Sequence, residues 1–392
     1  MCDKQTPEQK HETELADIFN QHADAYCEKN TPTPEQYKVI HAILNCRTSA
    51  LGGHVDECDQ CGAKQNSYNS CRNRHCPKCE SFKAVRWLDD RQAELLPVPY
   101  FHVVFTLPHE LNTLVLYNKS ILYNLLFKSS WETLKTLGKD PDRLNGEVGM
   151  LSILHTWGQN LSQHNHVHCI VPGGALTADG EWNPANKEYL FPVKVMSEIF
   201  RGLFVTKLKK HHEDKELKLP PSIDMDSLLN TLMEKSWNIY AKKPFAGPEK
   251  LLNYLGRYTH KIAISNYRVV SCDESHVEFK WRDYSDNNKI KTMKLKPDEF
   301  IRRFLQHVLP NGFMRIRSFG FLSNACKKKK VAIIQKLLDH TPKEANEKRD
   351  AKTLMFEITG KDVSICPICK QGKLRRVSTL YAKFGSTKFD TS

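Results

Sequence analysis

The sequence predicts an α+β fold built on an antiparallel sheet, and three stretches carry that expectation. Tyr100-Phe-His-Val-Val-Phe-Thr-Leu107 is aromatic and β-branched and stops at Pro108, as a buried strand does. Gly149-Met-Leu-Ser-Ile-Leu-His-Thr-Trp157 reads as another strand, and the turn-prone Gly158-Gln-Asn-Leu-Ser-Gln163 folds the chain back on itself. The returning stretch, His164-Asn-His-Val-His-Cys-Ile-Val-Pro-Gly-Gly174, alternates histidines with other residues and closes on a turn signal. Helical periodicity fills much of the chain between and around these strands.

The chain of 392 residues is long enough for two or three domains with substantial cores. With 40% apolar residues and a mean hydropathy of −0.54, it reads as soluble and globular. No stretch approaches the roughly 18 apolar residues of a membrane span, and the N-terminus lacks an apolar leader. The expected location is therefore the cytoplasm. Lys plus Arg exceed Asp plus Glu by 58 to 45, a net +13, which favours a polyanionic partner. Six of the 13 cysteines fall in CxxC pairs, so metal binding in a reducing compartment fits better than disulfides.

Taken in order, residues 11–28 and 34–47 read as amphipathic helices separated by Asn-Thr-Pro-Thr-Pro. Cys58-Asp-Gln-Cys61 and Cys71-Arg-Asn-Arg-His75-Cys76-Pro-Lys-Cys79 follow. Two CxxC pairs supply four thiolates to one tetrahedral Zn²⁺, assigned to Cys58, Cys61, Cys76 and Cys79. Cys71 and His75 stand ready to replace a ligand or begin a second site, and His54 is a weaker candidate. Arg72, Arg74, Lys78 and Lys83 suit phosphate contacts. Further helices are expected at 82–95, 110–137, 194–212 and 224–242, a β-meander at 262–270, 277–282 and 289–296, and helices at 297–308 and 331–339. A last pair, Cys366-Pro-Ile-Cys369, supplies only two thiolates; Cys326 and His340 are conceivable further ligands, and so is no metal at all. The expected domains are 1–95, helical and zinc-binding with DNA contacts, 96–325, built on the sheet, and 326–392, a basic helical tail with a CxxC knuckle.

On a strand, His164, His166 and His168 share a face at about 6.8 Å spacing, so two neighbours can hold one ion and the outer pair cannot. Val167 anchors the strand between His166 and His168, whereas Asn165 anchors nothing, which selects His166 and His168 as a two-histidine clamp. Gln159, His155, His164 and His260 are candidates for a third ligand. In Pro248-Glu-Lys-Leu-Leu-Asn-Tyr254-Leu-Gly-Arg-Tyr258-Thr-His-Lys261, the two tyrosines lie one helical turn apart on one face. Such a pair alone suits packing as well as chemistry, but Arg257, His260 and Lys261 add phosphate donors around Tyr258. Phe313-Met-Arg315-Ile-Arg317-Ser-Phe319-Gly-Phe321 and Lys327-Lys-Lys-Lys330 offer stacking and phosphate contacts, unless the aromatics are core.

A metal clamp, paired tyrosines and a basic surface together suit phosphodiester cleavage. A divalent ion, Mg²⁺ or Mn²⁺, acts as Lewis acid on the phosphate while a tyrosine hydroxyl attacks phosphorus. Two tyrosines allow two linked cleavages.

The chain resembles the rolling-circle insertion-sequence transposases of the HUH endonuclease superfamily, the two-tyrosine branch with an N-terminal zinc-binding domain. The resemblance rests on Leu51-Gly-Gly-His-Val-Asp-Glu-Cys58, Ser67-Tyr-Asn-Ser-Cys-Arg-Asn-Arg-His-Cys-Pro-Lys-Cys79, Phe105-Thr-Leu-Pro108, residues 157–174, residues 254–265 and Arg315-Ile-Arg-Ser-Phe-Gly320. It implies a nuclease palm for 96–325, His166 and His168 as metal ligands, Tyr254 and Tyr258 as nucleophiles, and single-stranded DNA at element ends as substrate. Arg257, Lys261, Arg315 and Arg317 are the expected DNA contacts. A replication initiator or relaxase would share the clamp and tyrosine without this zinc-domain sequence. A non-catalytic zinc-dependent regulator would be indifferent to Tyr254→Phe with Tyr258→Phe.

Overall fold

The computed structural model describes residues 13–79, 87–88, 91, 94–242, 251, 263–341, 350, 353–356, 360 and 362–382. Helices α1 (Leu15–Lys29) and α2 (Pro34–Asn45) open the described chain. Thr33 and Gln36 form a reciprocal capping box at the start of α2, with Pro34 in the first turn where its missing N–H costs nothing. A hairpin of β1 (Gly53–Cys58) and β2 (Lys64–Tyr68) follows, then β3 (Tyr100–Thr106), α3 (Asn112–Tyr117) and α4 (Lys119–Lys139). Next come β4 (Gly149–Trp157), β5 (Gln163–Pro172), the small pair β6 (Gly174–Leu176) and β7 (Trp182–Pro184), α5 (Val193–Glu213), α6 (Met225–Glu234) and β8 (Ile239–Lys242). The last third holds β9 (Val269–Cys272), β10 (Val277–Asp283), β11 (Lys289–Leu295), α7 (Pro297–Leu305), β12 (Ile316–Gly320), α8 (Lys327–Leu337) and β13 (Leu374–Leu380).

The expected α+β architecture is present. A central sheet runs β12-β4-β5-β3-β8 with every neighbouring pair antiparallel. Alternation divides its two faces. Val103, Phe105, Leu154, Val167 and Val171 point one way and pack with Leu122, Phe127, Phe200 and Phe204 of α4 and α5. The opposite face carries the histidines and a smaller apolar cluster, in which Leu151, Ile153 and Ile170 meet Leu251, Phe321, Val331 and Ile334.

A second core joins the N-terminal helices to the β9–β11 meander and α7, with Phe19 edge-on to Phe304 at 5.5 Å and Phe279 against Phe300 at 5.7 Å. Residues on both sides of position 95 thus share a core. The segment after 325 is likewise built into the rest, α8 against the central sheet and β13 alongside β1.

Three local expectations change. The helix expected over 224–242 ends at Glu234, because buried Trp237 folds back and its Nε1 donates to Leu232 O at 2.9 Å; residues 239–242 then pair with β3 as an edge strand. The helix expected over 110–137 breaks at Asn118, whose side chain bonds Leu114 O and both backbone groups of Lys218 in place of a helical continuation. The basic aromatic run at 313–321 supplies β12, an edge strand of the central sheet. Most of the helix expected at 82–95 lies outside the described residues. Among the described residues, no helix is long and apolar enough to cross a membrane.

Candidate functional site: a histidine cluster and two cysteine clusters

His166 and His168 project from the middle of β5, between β4 and β3, and the buried Val167 between them points into the main core as its alternation requires. Their Nε2 atoms are 3.1 Å apart. Two imidazole nitrogens that share an ion at about 2.1 Å stand about 3.0–3.4 Å from one another, so the spacing fits a common metal. The third member is His155, directly across from His166 in the β4–β5 register. One ring nitrogen from each of His155, His166 and His168 lies within 4.8 Å of the others, and all three residues are buried.

The surroundings orient these rings. His166 Nδ1 donates to the carbonyl of His164 at 2.7 Å, which leaves Nε2 as the unprotonated nitrogen. His168 Nδ1 lies 2.8 Å from His102 Nε2, with the rings stacked 10° from parallel. Burial pushes His166 down to about 3, His102 to about 4 and His168 well below the ordinary histidine value. All are therefore neutral at physiological pH, the form that binds a metal. His164 is an exposed neighbour of His166, at 4.7 Å between ring centroids, and is not among the three convergent donors. Gln159 is bonded to Tyr284 instead. His260 lies outside the described residues, as do Tyr254, Tyr258, Arg257 and Lys261.

Of the other expected DNA contacts, Arg315 is buried just before β12, where its carbonyl accepts from Leu154 N. Burial, then the charges of Arg74 and Arg315, hold His75 well below its ordinary value. The Arg317 guanidinium sits 4.3 Å from the Phe127 ring and 4.9 Å from that of Phe313, and it donates to Asn124 Oδ1 at 2.6 Å. It serves packing between β12 and α4. Arg74 donates to Phe313 O, Lys78 pairs with Glu14 at 2.5 Å, and Lys83 lies outside the described residues.

The assignment of Cys58, Cys61, Cys76 and Cys79 to one zinc is corrected by the geometry. Cys76 and Cys79 meet Cys46 and Cys71, with Cys46 Sγ 3.5 Å and Cys71 Sγ 3.6 Å from Cys79 Sγ. Cys58 and Cys61 face Cys366 and Cys369. The β1–β2 hairpin is the reason. Arg47 N bonds Asn69 O and Asn69 N bonds Gly52 O, so residue 71 returns beside the end of α2. Cys58 and Cys61 occupy the other end of the hairpin, about 17 Å along a six-residue strand.

The sequence reading missed Cys46 because it has no CxxC partner; it lies at the C-cap of α2, delivered by the helix. Hydrogen bonds from Cys46, Cys71 and Cys76 drive the Cys79 thiol well below its ordinary value, towards the thiolate that ligates metal. His75 is no ligand here: Asn73 Oδ1 lies 3.2 Å from its Nδ1, and its Nε2 accepts from Leu309 N. His54 pairs with Asp56.

A histidine cluster on an antiparallel sheet, beside cysteine clusters of zinc-ligand type, defines a metal-binding α+β protein with a zinc domain. Residues 18–107 match the family described as "Transposase zinc-binding domain", and residues 149–330 match the family described as "Putative transposase". The chain is 43% identical over 394 residues to "Putative transposase y4qJ" of Sinorhizobium fredii (strain NBRC 101917 / NGR234), covering 97% of this chain and 98% of the relative. It is 29% identical over 299 residues to the transposase for insertion sequence element IS801 of Pseudomonas savastanoi pv. phaseolicola, covering 74% of this chain and 70% of that protein. No solved structure matches it. The chain belongs to the rolling-circle insertion-sequence transposases with an N-terminal zinc-binding domain, and is a DNA-processing, DNA-binding enzyme.

Proposed function

We propose that the protein cleaves and rejoins single-stranded DNA at insertion-sequence ends through a 5′-phosphotyrosine, with Tyr254 and Tyr258 as nucleophiles and His155, His166 and His168 holding a divalent cation. The observation that carries the reading is the convergence of three buried imidazoles on one sheet face, within 4.8 Å, in a protein of the transposase family.

A divalent ion held there supplies Lewis-acid stabilisation of charge on the scissile phosphate. Imidazole donors favour a transition metal, and no carboxylate joins the three among the described residues, so Mn²⁺ suits the set better than Mg²⁺. His102 and the His164 carbonyl fix the ring orientations, so the donors are preorganised. The tyrosine phenol gives up its proton and its oxygen attacks phosphorus in line. The P–O3′ bond breaks, the departing 3′ oxygen takes a proton, and the 5′ phosphate stays on tyrosine. That linkage conserves the phosphodiester energy for rejoining, and a second tyrosine four residues away in sequence can open another strand while the first is occupied. Leu251 is buried on the histidine face against Leu151 and Ile170, and Tyr254 follows three residues later in sequence. Beside that face, along β12, an open groove lined by Trp87, Arg91, Met314 and Asn324 offers aromatic and cationic contacts to unpaired bases and their phosphates.

The test is incubation with Mn²⁺ or Mg²⁺ and labelled single-stranded DNA carrying an element end. The expected result is a covalent protein–DNA adduct that Tyr254→Phe with Tyr258→Phe abolishes and His166→Ala suppresses. An adduct that survives both changes overturns the reading.

A further inference from the structure

Cys366 and Cys369 lie beyond both segments that match transposase families, which end at residues 107 and 330. They are nonetheless placed against the N-terminal zinc domain. We propose that Cys58, Cys61, Cys366 and Cys369 form a second tetrahedral Zn²⁺ site, which clasps the C-terminal strand to the N-terminal sheet. The inference is independent of the nuclease chemistry.

The donor geometry comes first. Cys58 Sγ lies 3.6 Å from Cys369 Sγ, Cys61 Sγ lies 3.7 Å from Cys366 Sγ, and all four sulfurs are within 4.8 Å of one another. Zn–S bonds of about 2.3 Å in a tetrahedron place sulfurs about 3.8 Å apart. A disulfide needs about 2.05 Å, and all four thiols are free.

Each CxxC pair also sits on a tight turn of the kind that presents two thiolates together. On the first, Gly62 N bonds Cys58 O and Cys58 N bonds Ala63 O. On the second, Lys370 N bonds Cys366 O, Cys366 N bonds Gly372 O, and Gly372 N donates to Cys369 Sγ at 3.3 Å. The two turns are fitted to each other. A Cβ on Gly372 would stand 2.3 Å from Cys58 Sγ, so only glycine permits this approach. Asp59 and Lys373 exchange hydrogen bonds across the junction, and β13 then pairs with β1 from Cys58↔Leu374 to Gly53↔Leu380.

Hydrophobic burial cannot account for this docking. In β13, residues 375–379 are all exposed, with Val377 at 52% of its surface, and β2 on the far side of β1 is nearly as exposed. A three-stranded sheet with so little core is the kind of small element that a structural metal holds together, since binding free energy there is folding free energy. The thiols give up their protons on binding, and the doubly negative Zn(Cys)₄ centre has Lys370, Lys373 and Arg375 nearby in sequence to offset it.

The test is zinc content of the full chain, purified under reducing conditions. In the His166→Ala background, which takes the histidine site out of the zinc count, two zinc ions per chain are expected. Cys366→Ser with Cys369→Ser should lose one and keep the other, and Cys58→Ser with Cys61→Ser should lose the same one. In both variants, hydrogen exchange at residues 375–379 should rise to the rate of an unpaired segment while β5 stays protected. Protection of β5 shows that the variants are folded. A readout on the unaltered chain keeps the proposal open to failure even if they are not: Cys61, exposed in the fold, should resist alkylation together with Cys366 and Cys369 until a chelator is added. One zinc per chain, two zincs retained in the Cys366/Cys369 variant, or immediate alkylation of Cys61 and Cys366 overturns the site.

Discussion

His102 Nε2 lies 2.8 Å from His168 Nδ1, so one buried histidine sets the tautomer of another. Burial holds both neutral, and the tautomer in which His168 Nδ1–H donates to His102 is the one that leaves Nε2 of His168, 3.1 Å from His166 Nε2, bare for a metal. His102 is thus a positioning residue. His102→Phe keeps the stacked ring and deletes the acceptor. Mn²⁺ affinity, read by calorimetry, should fall about 10–100-fold while urea stability changes little. Unchanged affinity would mean that His168 does not ligate through Nε2.

His155 and His164 separate two candidate third ligands. Both lie near His166, but only His155 is buried among the convergent donors. His155→Ala should weaken Mn²⁺ binding by more than His102→Phe does, and His164→Ala should leave it within about twofold, because the His164 carbonyl that orients His166 survives the substitution. The same calorimetric titration distinguishes the two, and a larger loss for His164→Ala would reassign the ligand.

Why His155 stayed one candidate of four in the sequence is a matter of register. The turn closes with Trp157 opposite Gln163, and straight counting from there puts His155 opposite Asn165, on the wrong face. A bulge between His155 and Trp157 shifts the register by one, so that His155 faces His166. Alternation along one strand was legible, which is why His166, His168 and the core position of Val167 follow from sequence. A one-residue bulge was not. The cysteines teach the same lesson at longer range. CxxC spacing identifies a pair on one turn, but which pairs share a metal depends on hairpin direction and on a second turn whose Cys369 is 311 residues from Cys58. Asn118 and Trp237 ended helices through contacts with residues that periodicity does not weigh.

Burial makes stability pH-dependent through His307. Its Nε2–H donates to Leu161 O, its Nδ1 accepts from Thr156, and burial pushes it down to about 3. The unfolded chain takes up a proton near pH 6.5, and the folded one does not until about pH 3. Stability from this group is complete above pH 6.5 and is lost as pH falls from 6.5 towards 3. The slope is about 1.4 kcal/mol per pH unit, or about 2 kcal/mol by pH 5. His307→Gln retains a donor for Leu161 O without the titration. Urea unfolding at pH 7 and pH 5 should show a smaller loss for the variant by about that amount; equal losses would exclude His307 as a contributor.

Arg317 offers a test between packing and DNA contact. Its guanidinium lies over Phe127 and Phe313 and bonds Asn124 Oδ1 and Met314 O, which ties the edge strand β12 to α4. A partly buried cation–π pair with a satisfied hydrogen bond contributes about 1–2 kcal/mol. Arg317→Ala should therefore lower urea stability by about that much. Arg317→Lys should recover little of it, since an ammonium neither stacks flat on the rings nor reaches two acceptors at once. A residue that instead contacts phosphate would leave stability unchanged and reduce the salt dependence of single-stranded DNA binding by about one counterion. The packing observed here predicts the first outcome.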